Sequence, residues 1–132
     1  MIRLTAAAAA MAGLFSCAGD ETLSGYGAAD VTWVLATLDR APFPARATLT
    51  FPEEGRLAGD APCNTYWGAQ TAPYPWFTAT QIAATRRACP DLDAEAAFFE
   101  ALEAMTLAEV AGRTLLLSND AGREMLFRSD GG

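Results

Sequence analysis

Short stretches in which apolar and polar residues alternate dominate the sequence after residue 30 and predict a sheet-rich domain. Residues 31–38 form a first predicted strand, with Trp33 and Leu35 on one face. Residues 45–51 form a second, because every other residue in it is apolar. A Pro-Glu-Glu-Gly run follows and predicts a turn into a return strand at residues 56–59, so that the two strands make a hairpin.

The middle of the chain is rich in proline and is predicted to contain less regular structure. Residues 60–75 are predicted as a loop, with room for only a short strand near residues 66–69. Residues 76–82 are predicted as another strand. This region therefore separates the predicted hairpin from the elements that follow.

One helix is predicted after this region. Asp91 or Asp93 provides an N-cap, and acidic residues suit the first turn of a helix. Phe98, Leu102 and Met105 then recur at intervals of four and three residues. We expect this apolar stripe to pack against the sheet.

The last third of the chain predicts an antiparallel meander. Strands are predicted at residues 107–111, 114–118 and 123–128, with short turns that contain glycine or asparagine between them. The predicted fold class is therefore mainly β with one α-helix (α+β).

The first thirty residues differ in character and predict an export and anchoring signal. Arg3 is followed by an uncharged apolar stretch, which is shorter than the roughly 20 residues that span a bilayer. Residues 14–17, Leu-Phe-Ser-Cys, resemble a lipobox, which implies cleavage before Cys17 and a diacylglyceryl group on its thiol. The alternative is an ordinary signal peptide with a cysteine near its end by chance. Residues 1–16 are predicted as a lipoprotein signal peptide, and residues 17–30 as an acylated N-terminus and a flexible tether.

This anchor determines the expected location of the folded domain, which is predicted at residues 31–129. Ala18 follows the cysteine, and this resembles the sorting pattern for retention at the outer membrane of Gram-negative bacteria. We therefore expect a monomeric outer-membrane lipoprotein that faces the periplasm and contacts the membrane through lipid on Cys17.

Composition excludes several classes of function. The chain carries a net charge of −7, and all nine of its basic residues are arginines, of which only Arg86 and Arg87 are adjacent. An acidic chain without a basic stripe is not expected to bind nucleic acid. The absence of histidine excludes Ser-His-Asp and Cys-His catalysis. Two cysteines beyond Cys17 are too few for a structural zinc site, so we expect no metal and no cofactor.

Three segments together resemble the META domain (HslJ-like) family. The family pattern is W-x-L near the domain start, a glycine-rich approach to C-N-x-Y-x-G, and then I-x-x-T-x-x-x-C. Here Asp-Ala-Pro separates the glycine from the first cysteine, where the family often has glycine directly before it. The matching motif residues are Trp33, Gly59, Cys63, Asn64, Tyr66, Gly68, Thr85 and Cys89.

The resemblance implies an antiparallel, partly open lipocalin-like β-barrel packed on a helix. It also implies a disulfide between Cys63 and Cys89, which an exported chain can form in an oxidising compartment. In the chain-entropy model such a bridge stabilises the fold by roughly 3 to 4 kcal/mol. The alternative is two buried free cysteines. Family members are linked to heat shock and envelope stress, with no shared activity.

Several residues have both a binding and a purely structural interpretation. Asn64 could contact a ligand at a pocket rim, or its amide could bond to local backbone in a turn. Arg86 and Arg87 could clamp an anion or form a solvated pair. The aromatic residues of the loop region could line an apolar pocket or merely cover the sheet; they are Tyr66, Trp67, Tyr74 and Trp76.

Three functions are weighed on this basis. The first is a non-enzymatic, stress-related envelope lipoprotein that binds an apolar small molecule or a protein segment. The second is a pilot-like assembly factor for an envelope complex. The third, a hydrolase, is least favoured, because the candidate acids sit where turns or an N-cap would place them; they are Glu53, Glu54, Asp91 and Asp93.

Overall fold

Two antiparallel sheets and one helix make up the part of the chain, residues 19–130, that the computed structural model describes. The fold class, mainly β with one helix, is confirmed. The strands are Trp33–Leu38 (β1), Ala41–Pro42 (β2), Thr48–Leu49 (β3), Arg56–Asp60 (β4), Thr65–Ala69 (β5), Thr80–Ala84 (β6), Leu107–Ala111 (β7), Thr114–Ser118 (β8) and Glu124–Ser129 (β9); the helix, α1, is Leu92–Ala104.

The larger sheet has the strand order β2-β1-β9-β8-β7, and β3 also pairs with β1. The first and last long strands are therefore neighbours, with Trp33 opposite Ser129. Strands β7, β8 and β9 form the predicted meander, with Leu107 opposite Ser118 at one end of the first pair. This part of the sequence-based prediction is confirmed to within a residue or two at each end.

The smaller sheet has the order β4-β5-β6 and meets the larger sheet at a corner. Thr50 and Ala58 bridge this corner with reciprocal backbone hydrogen bonds of 2.7 and 3.0 Å. Gly59 makes the close approach feasible, because a Cβ there would lie 2.2 Å from the carbonyl oxygen of Thr48. Within residues 19–130 the sheets do not close into a continuous barrel, which leaves β6 as an edge.

The short strand predicted near residues 66–69, in the proline-rich middle of the chain, is confirmed. It is β5, which is the central strand of the smaller sheet. The prolines of this region flank the strand rather than interrupt it. The strand predicted at residues 76–82 begins only at Thr80. Its first residues instead lie along β7, where Trp76 bridges to Leu107.

The strand predicted at residues 45–51 pairs with β1 only over Thr48–Leu49. Its predicted apolar face is nonetheless correct, since Ala47, Leu49 and Phe51 are all buried. Thr48, on the other face of this segment, is also buried, and its hydroxyl accepts a hydrogen bond from the backbone N–H of Asp60 at 2.9 Å. The corner between the sheets therefore encloses both faces of this segment.

Large side chains fill the space between the sheets and α1. The predicted helical stripe is confirmed, because Phe98, Leu102 and Met105 are fully buried. Phe98 contacts the ring of Tyr66 edge to face, with centroids 5.5 Å apart. Burial of this kind is the main stabilising contribution in a domain of this size. The largest fully buried side chains are Trp33, Tyr66, Phe77, Phe98, Phe127, Leu23, Leu49, Leu57, Leu102, Met105, Leu115 and Leu117.

The flexible tether predicted up to residue 30 is wrong for the part that the structure describes. Residues Leu23–Tyr26 form a short 3-10 helix, and Leu23 and Ala28 are fully buried. The indole Nε1 of Trp33 donates to the carbonyl oxygen of Ala28 at 3.3 Å. Small residues were interpreted as a sign of flexibility, whereas here they allow close packing around one apolar anchor. Cys17 and the predicted signal peptide lie outside the described residues.

Across residues 19–130 we find no helix that is long and apolar enough to cross a membrane.

Replacing Leu23 with alanine tests whether this N-terminal segment belongs to the fold. We expect Leu23→Ala to lower the free energy of unfolding by about 2–4 kcal/mol, because the side chain is fully buried. Leu92→Ala is the matched control, since Leu92 is 43% exposed, and it should cost less than about 1 kcal/mol. Urea denaturation measures both. Equal losses of unfolding free energy in the two variants would contradict this packing and support a flexible tether.

Candidate functional site

Four of the family motif residues lie where the loop between β4 and β5 meets the start of α1; they are Cys63, Asn64, Thr85 and Cys89. The side chains of Asn64, Thr85 and Glu95 form a hydrogen-bonded group beside the disulfide. We call these three side chains and the Cys63–Cys89 bridge the polar latch. It joins three segments that are distant in sequence: the loop before β5, the chain after β6 and the first turn of α1.

The disulfide is formed between Cys63 and Cys89, as the resemblance implied, and their Cα atoms are 5.6 Å apart. The bridge joins the loop before β5 to the chain just before α1. Closing this segment removes conformational freedom from the unfolded chain, which stabilises the folded state. The alternative of two free cysteines is excluded by this geometry.

The side chain of Asn64 uses all of its hydrogen-bonding capacity within the protein. Its Oδ1 accepts from the hydroxyl of Thr85 at 2.9 Å and from the backbone N–H of Arg87. Its Nδ2 donates to the carbonyl oxygen of Arg87 at 3.0 Å and to Oε2 of Glu95 at 2.8 Å. Asn64 therefore has no group left for a ligand. Its role is structural, although its partners are distant in sequence rather than local as expected.

Glu95 is the member of this group that the sequence analysis missed. Its carboxylate is buried and its Oε1 accepts the backbone N–H groups of Cys63 and Asn64 at 3.0 and 2.9 Å. With the contact from Nδ2 of Asn64, three N–H donors converge on one carboxylate at the start of a helix, where negative charge is favoured. Glu95 precedes Phe98 by three residues, so both lie on the same face of the helix, the face that is buried.

The other motif residues support the sheets from inside. Tyr66 is fully buried, and its hydroxyl donates to the carbonyl oxygen of Thr48 at 2.6 Å across the corner. Burial raises the pKa of Tyr66, so the hydroxyl stays protonated and keeps donating. A Cβ on Gly68 would lie 2.9 Å from the carbonyl oxygen of Thr80, so a small residue is needed there. Trp33 lies in the core.

The four aromatic residues proposed as a pocket do not form one. Tyr66 points into the core, whereas Trp67 is 47% exposed on the opposite face of β5. Tyr74 stacks on Tyr26 with ring centroids 4.8 Å apart, and its hydroxyl accepts the backbone N–H of Val110. Trp76 is 58% exposed beside β7. Successive side chains of a strand point to opposite faces of the sheet, so Tyr66 and Trp67 lie apart although they are adjacent in sequence.

Two open depressions lie beside these aromatic residues on the surface. One has a volume of about 430 Å³ and is lined by Trp67 together with Arg56 and Gln81. The other has a volume of 260 Å³, is largely apolar and includes Tyr74 and Leu107. Neither reaches the interior, which side chains fill.

The chemistry available at these sites is limited. Across residues 19–130 no group of three Cys, Asp or Glu side chains is placed to hold a metal ion. No buried side-chain nitrogen or oxygen in that range lacks a hydrogen-bond partner. The acids considered for hydrolysis are exposed on the surface; they are Glu53, Glu54, Asp91 and Asp93. The polar groups of the latch are thus committed to holding the structure together.

Replacing Glu95 with glutamine tests the latch without changing its size. We expect Glu95→Gln to lower the free energy of unfolding by about 2–3 kcal/mol, because an amide nitrogen would face one of the converging N–H donors. Glu103→Gln, on an exposed position of the same helix, is the matched control and should cost less than about 0.5 kcal/mol. Denaturant unfolding with the disulfide intact measures both, and similar losses would contradict this role.

Comparison with known proteins agrees with the motif and the fold. The META domain family model matches residues 27–131, which includes part of the segment expected to be a tether. No curated protein matches the chain. A protein from Burkholderia xenovorans solved by NMR is 22% identical, with a TM-score of 0.63 and coverage of 80% of this chain and 85% of that one. A DUF4847 family protein from Bacteroides vulgatus is 17% identical, with a TM-score of 0.59 and coverage of 78% and 94%. Both share the fold, and with the family match over most of its length this chain belongs to the META domain family.

Proposed function

We propose that this protein is a non-catalytic binding module of the bacterial cell envelope that recognises a segment of another protein at its surface. In this proposal lipid on Cys17 holds it at the outer membrane, with the folded domain in the periplasm. The lipobox-like sequence supports the anchor, and the link of the family to envelope stress supports a stress-related role.

The filled interior is the observation that carries the proposal. Trp33, Phe77 and Phe127 occupy the space that a lipocalin-like fold would offer to a ligand, and all three are fully buried. Within residues 19–130 every buried side-chain nitrogen and oxygen, including those of the polar latch, already has a hydrogen-bond partner in the protein. Binding is therefore assigned to the outer surface, where exposed tryptophans are typical of protein interfaces.

The composition of the described site supports a role without catalysis. The chain has no histidine, and the buried carboxylate of Glu95 is surrounded by three N–H donors of the latch. A general acid or base needs a free side chain that can reach a substrate. Glu95 is instead used to hold a loop.

A small apolar ligand is the second candidate, and one depression favours it. The 260 Å³ depression beside Tyr74 is lined mainly by apolar atoms of Pro75, Leu107 and Leu116. It is shallow and open to solvent, so it would cover only one side of such a ligand. A pilot-like role in assembly would use the same anchor and surface, with a subunit of the complex as the partner.

Substitution of Cys17 tests the anchor. We expect Cys17→Ser to move the protein from the membrane fraction to the soluble fraction, because no acyl chains would remain to bind the bilayer. Mass spectrometry of the membrane-extracted parent protein should show the acyl mass on Cys17. Recovery of an unacylated parent chain from the soluble fraction would contradict the proposal.

Photocrosslinking in intact cells tests the binding function. A photoreactive amino acid is placed in turn at the exposed positions Trp67 and Trp76, with Glu54, in a turn, as the control. We expect a crosslink to one defined protein from at least one tryptophan position and none from the control. Equal, diffuse labelling from all three positions would contradict a specific protein partner, and native mass spectrometry that instead finds a small molecule would favour the second candidate.

A further inference from the structure

The outer side of β6 presents unpaired backbone groups in the described part of the chain. Strand β6 lies at the end of the smaller sheet, and β5 is its neighbour on the other side. The N–H of Thr85 donates to the carbonyl oxygen of Thr65, so Thr85 directs its backbone N–H toward β5. The register shifts near Gln81, which has a positive φ, so regular pairing runs only from Ala83 onward. Because backbone groups alternate in direction along this part, Ala84 and Arg86 direct theirs away from the sheet.

The other two comparable edges of the sheets are covered. On β4, Ala58 exchanges hydrogen bonds with Thr50, and the N–H of Asp60 donates to the side chain of Thr48. On β7, the N–H of Ala108 donates to the carbonyl oxygen of Pro75, and the N–H of Val110 donates to the Tyr74 hydroxyl. Coverage of this kind prevents strand pairing with other chains. The outer side of β6 has no such cover within residues 19–130.

The latch fixes the position of the chain that follows β6. Both backbone groups of Arg87 bond to the side chain of Asn64, and Cys89 is fixed by the disulfide. The accessible edge therefore continues beyond β6 to Arg86. An edge that is already rigid loses little conformational entropy when another strand pairs with it.

The charge at this edge is opposite to that of the protein as a whole. Arg86 and Arg87 are exposed, and neither makes an ion pair within residues 19–130, whereas Arg40, Arg46 and Arg123 do. The whole chain carries a net charge of −7. Two unpaired cations beside an unpaired edge therefore favour a segment with negative charge.

An exposed aromatic side chain lies on the next strand. Trp67 is directly opposite Ala83, and the small alanine leaves the indole accessible from the β6 side. The depression beside Trp67 also includes Gln81 and Arg56. An apolar side chain of an added strand could pack there, since tryptophan contributes strongly to binding at interfaces.

We propose that the outer edge of β6 binds an extended segment of a partner protein whose carboxylate side chains lie against Arg86 and Arg87. This inference rests on the proposed function and identifies its binding site and the chemistry of its partner. The segment adds a strand to the smaller sheet through backbone hydrogen bonds with Ala84 and Arg86. An apolar side chain of the segment packs on Trp67.

The test uses three synthetic peptides and the complete folded protein. The peptides share a twelve-residue alternating valine–threonine sequence and differ in three added residues, which are aspartates, serines or lysines. NMR chemical shifts of the isotope-labelled protein are followed during titration. We expect the aspartate peptide to shift the amides of residues 82–86 and the Trp67 indole below about 1 mM, and the lysine peptide to bind at least about tenfold more weakly.

A charge-reversal pair provides the matched control. Arg86→Glu with Arg87→Glu should weaken binding of the aspartate peptide by about tenfold. Arg46→Glu with Arg128→Glu changes the net charge equally on exposed positions elsewhere and should alter binding less than about twofold. Because these side chains are exposed, all four substitutions should leave the fold intact, which circular dichroism checks.

Three outcomes would overturn the inference. They are equal binding of the aspartate and lysine peptides, shifts that map away from β6, and dimerisation of the free protein through β6, which would make a second copy the occupant. If the photocrosslinking experiment still finds one defined partner, the proposed function stands while this site and chemistry fail. If the experiments find neither a defined crosslinked partner nor preferential binding of the aspartate peptide, both the proposed function and this binding site are contradicted.

Discussion

The carboxylate of Glu95 is the constraint on which the arrangement of the smaller sheet depends. It accepts hydrogen bonds from the backbone of Cys63 and Asn64 and from the Asn64 side chain, and so fixes the loop before β5 to the first turn of α1. Asn64 then fixes the chain after β6 through the backbone of Arg87. A buried carboxylate without these donors would be strongly destabilising, so the loop and the helix stabilise each other. The disulfide maintains the same junction covalently.

This arrangement also explains why the motif does not form a binding pocket. The residues of the C-N-x-Y-x-G pattern stabilise the fold. The side chain of Asn64 makes all of its hydrogen bonds within the protein. The hydroxyl of Tyr66 donates across the corner between the sheets. The interior is filled, so the proposed function assigns binding to the surface. Trp67, Arg86 and Arg87 are exposed there. Fold and motif identify the family and do not by themselves give a function.

The sequence predicts the C-terminal meander and α1 because their apolar patterns are regular and uninterrupted. It predicts the disulfide only through family resemblance, since two cysteines by themselves leave free thiols open. It predicts β5 as a short strand but not its central place in the smaller sheet, because strand order depends on contacts that a local pattern does not contain. It fails at Leu23, because one apolar residue among small ones gives no periodic signal. Glu95 was missed because an acid in the first turn of a helix is normally exposed, and its burial arises from contacts with a loop about thirty residues earlier.

Hydrogen exchange at the amides of Cys63 and Asn64 measures whether Glu95 holds this junction in solution. Both residues lie in a loop, where amides normally exchange quickly, but both donate to Glu95 in this structure. We expect both amides to exchange as slowly as those of the central strand β5, in the oxidised protein under native conditions. Exchange at the rate of an unstructured loop would contradict this expectation, because the carboxylate would then not be holding the junction on which the smaller sheet depends.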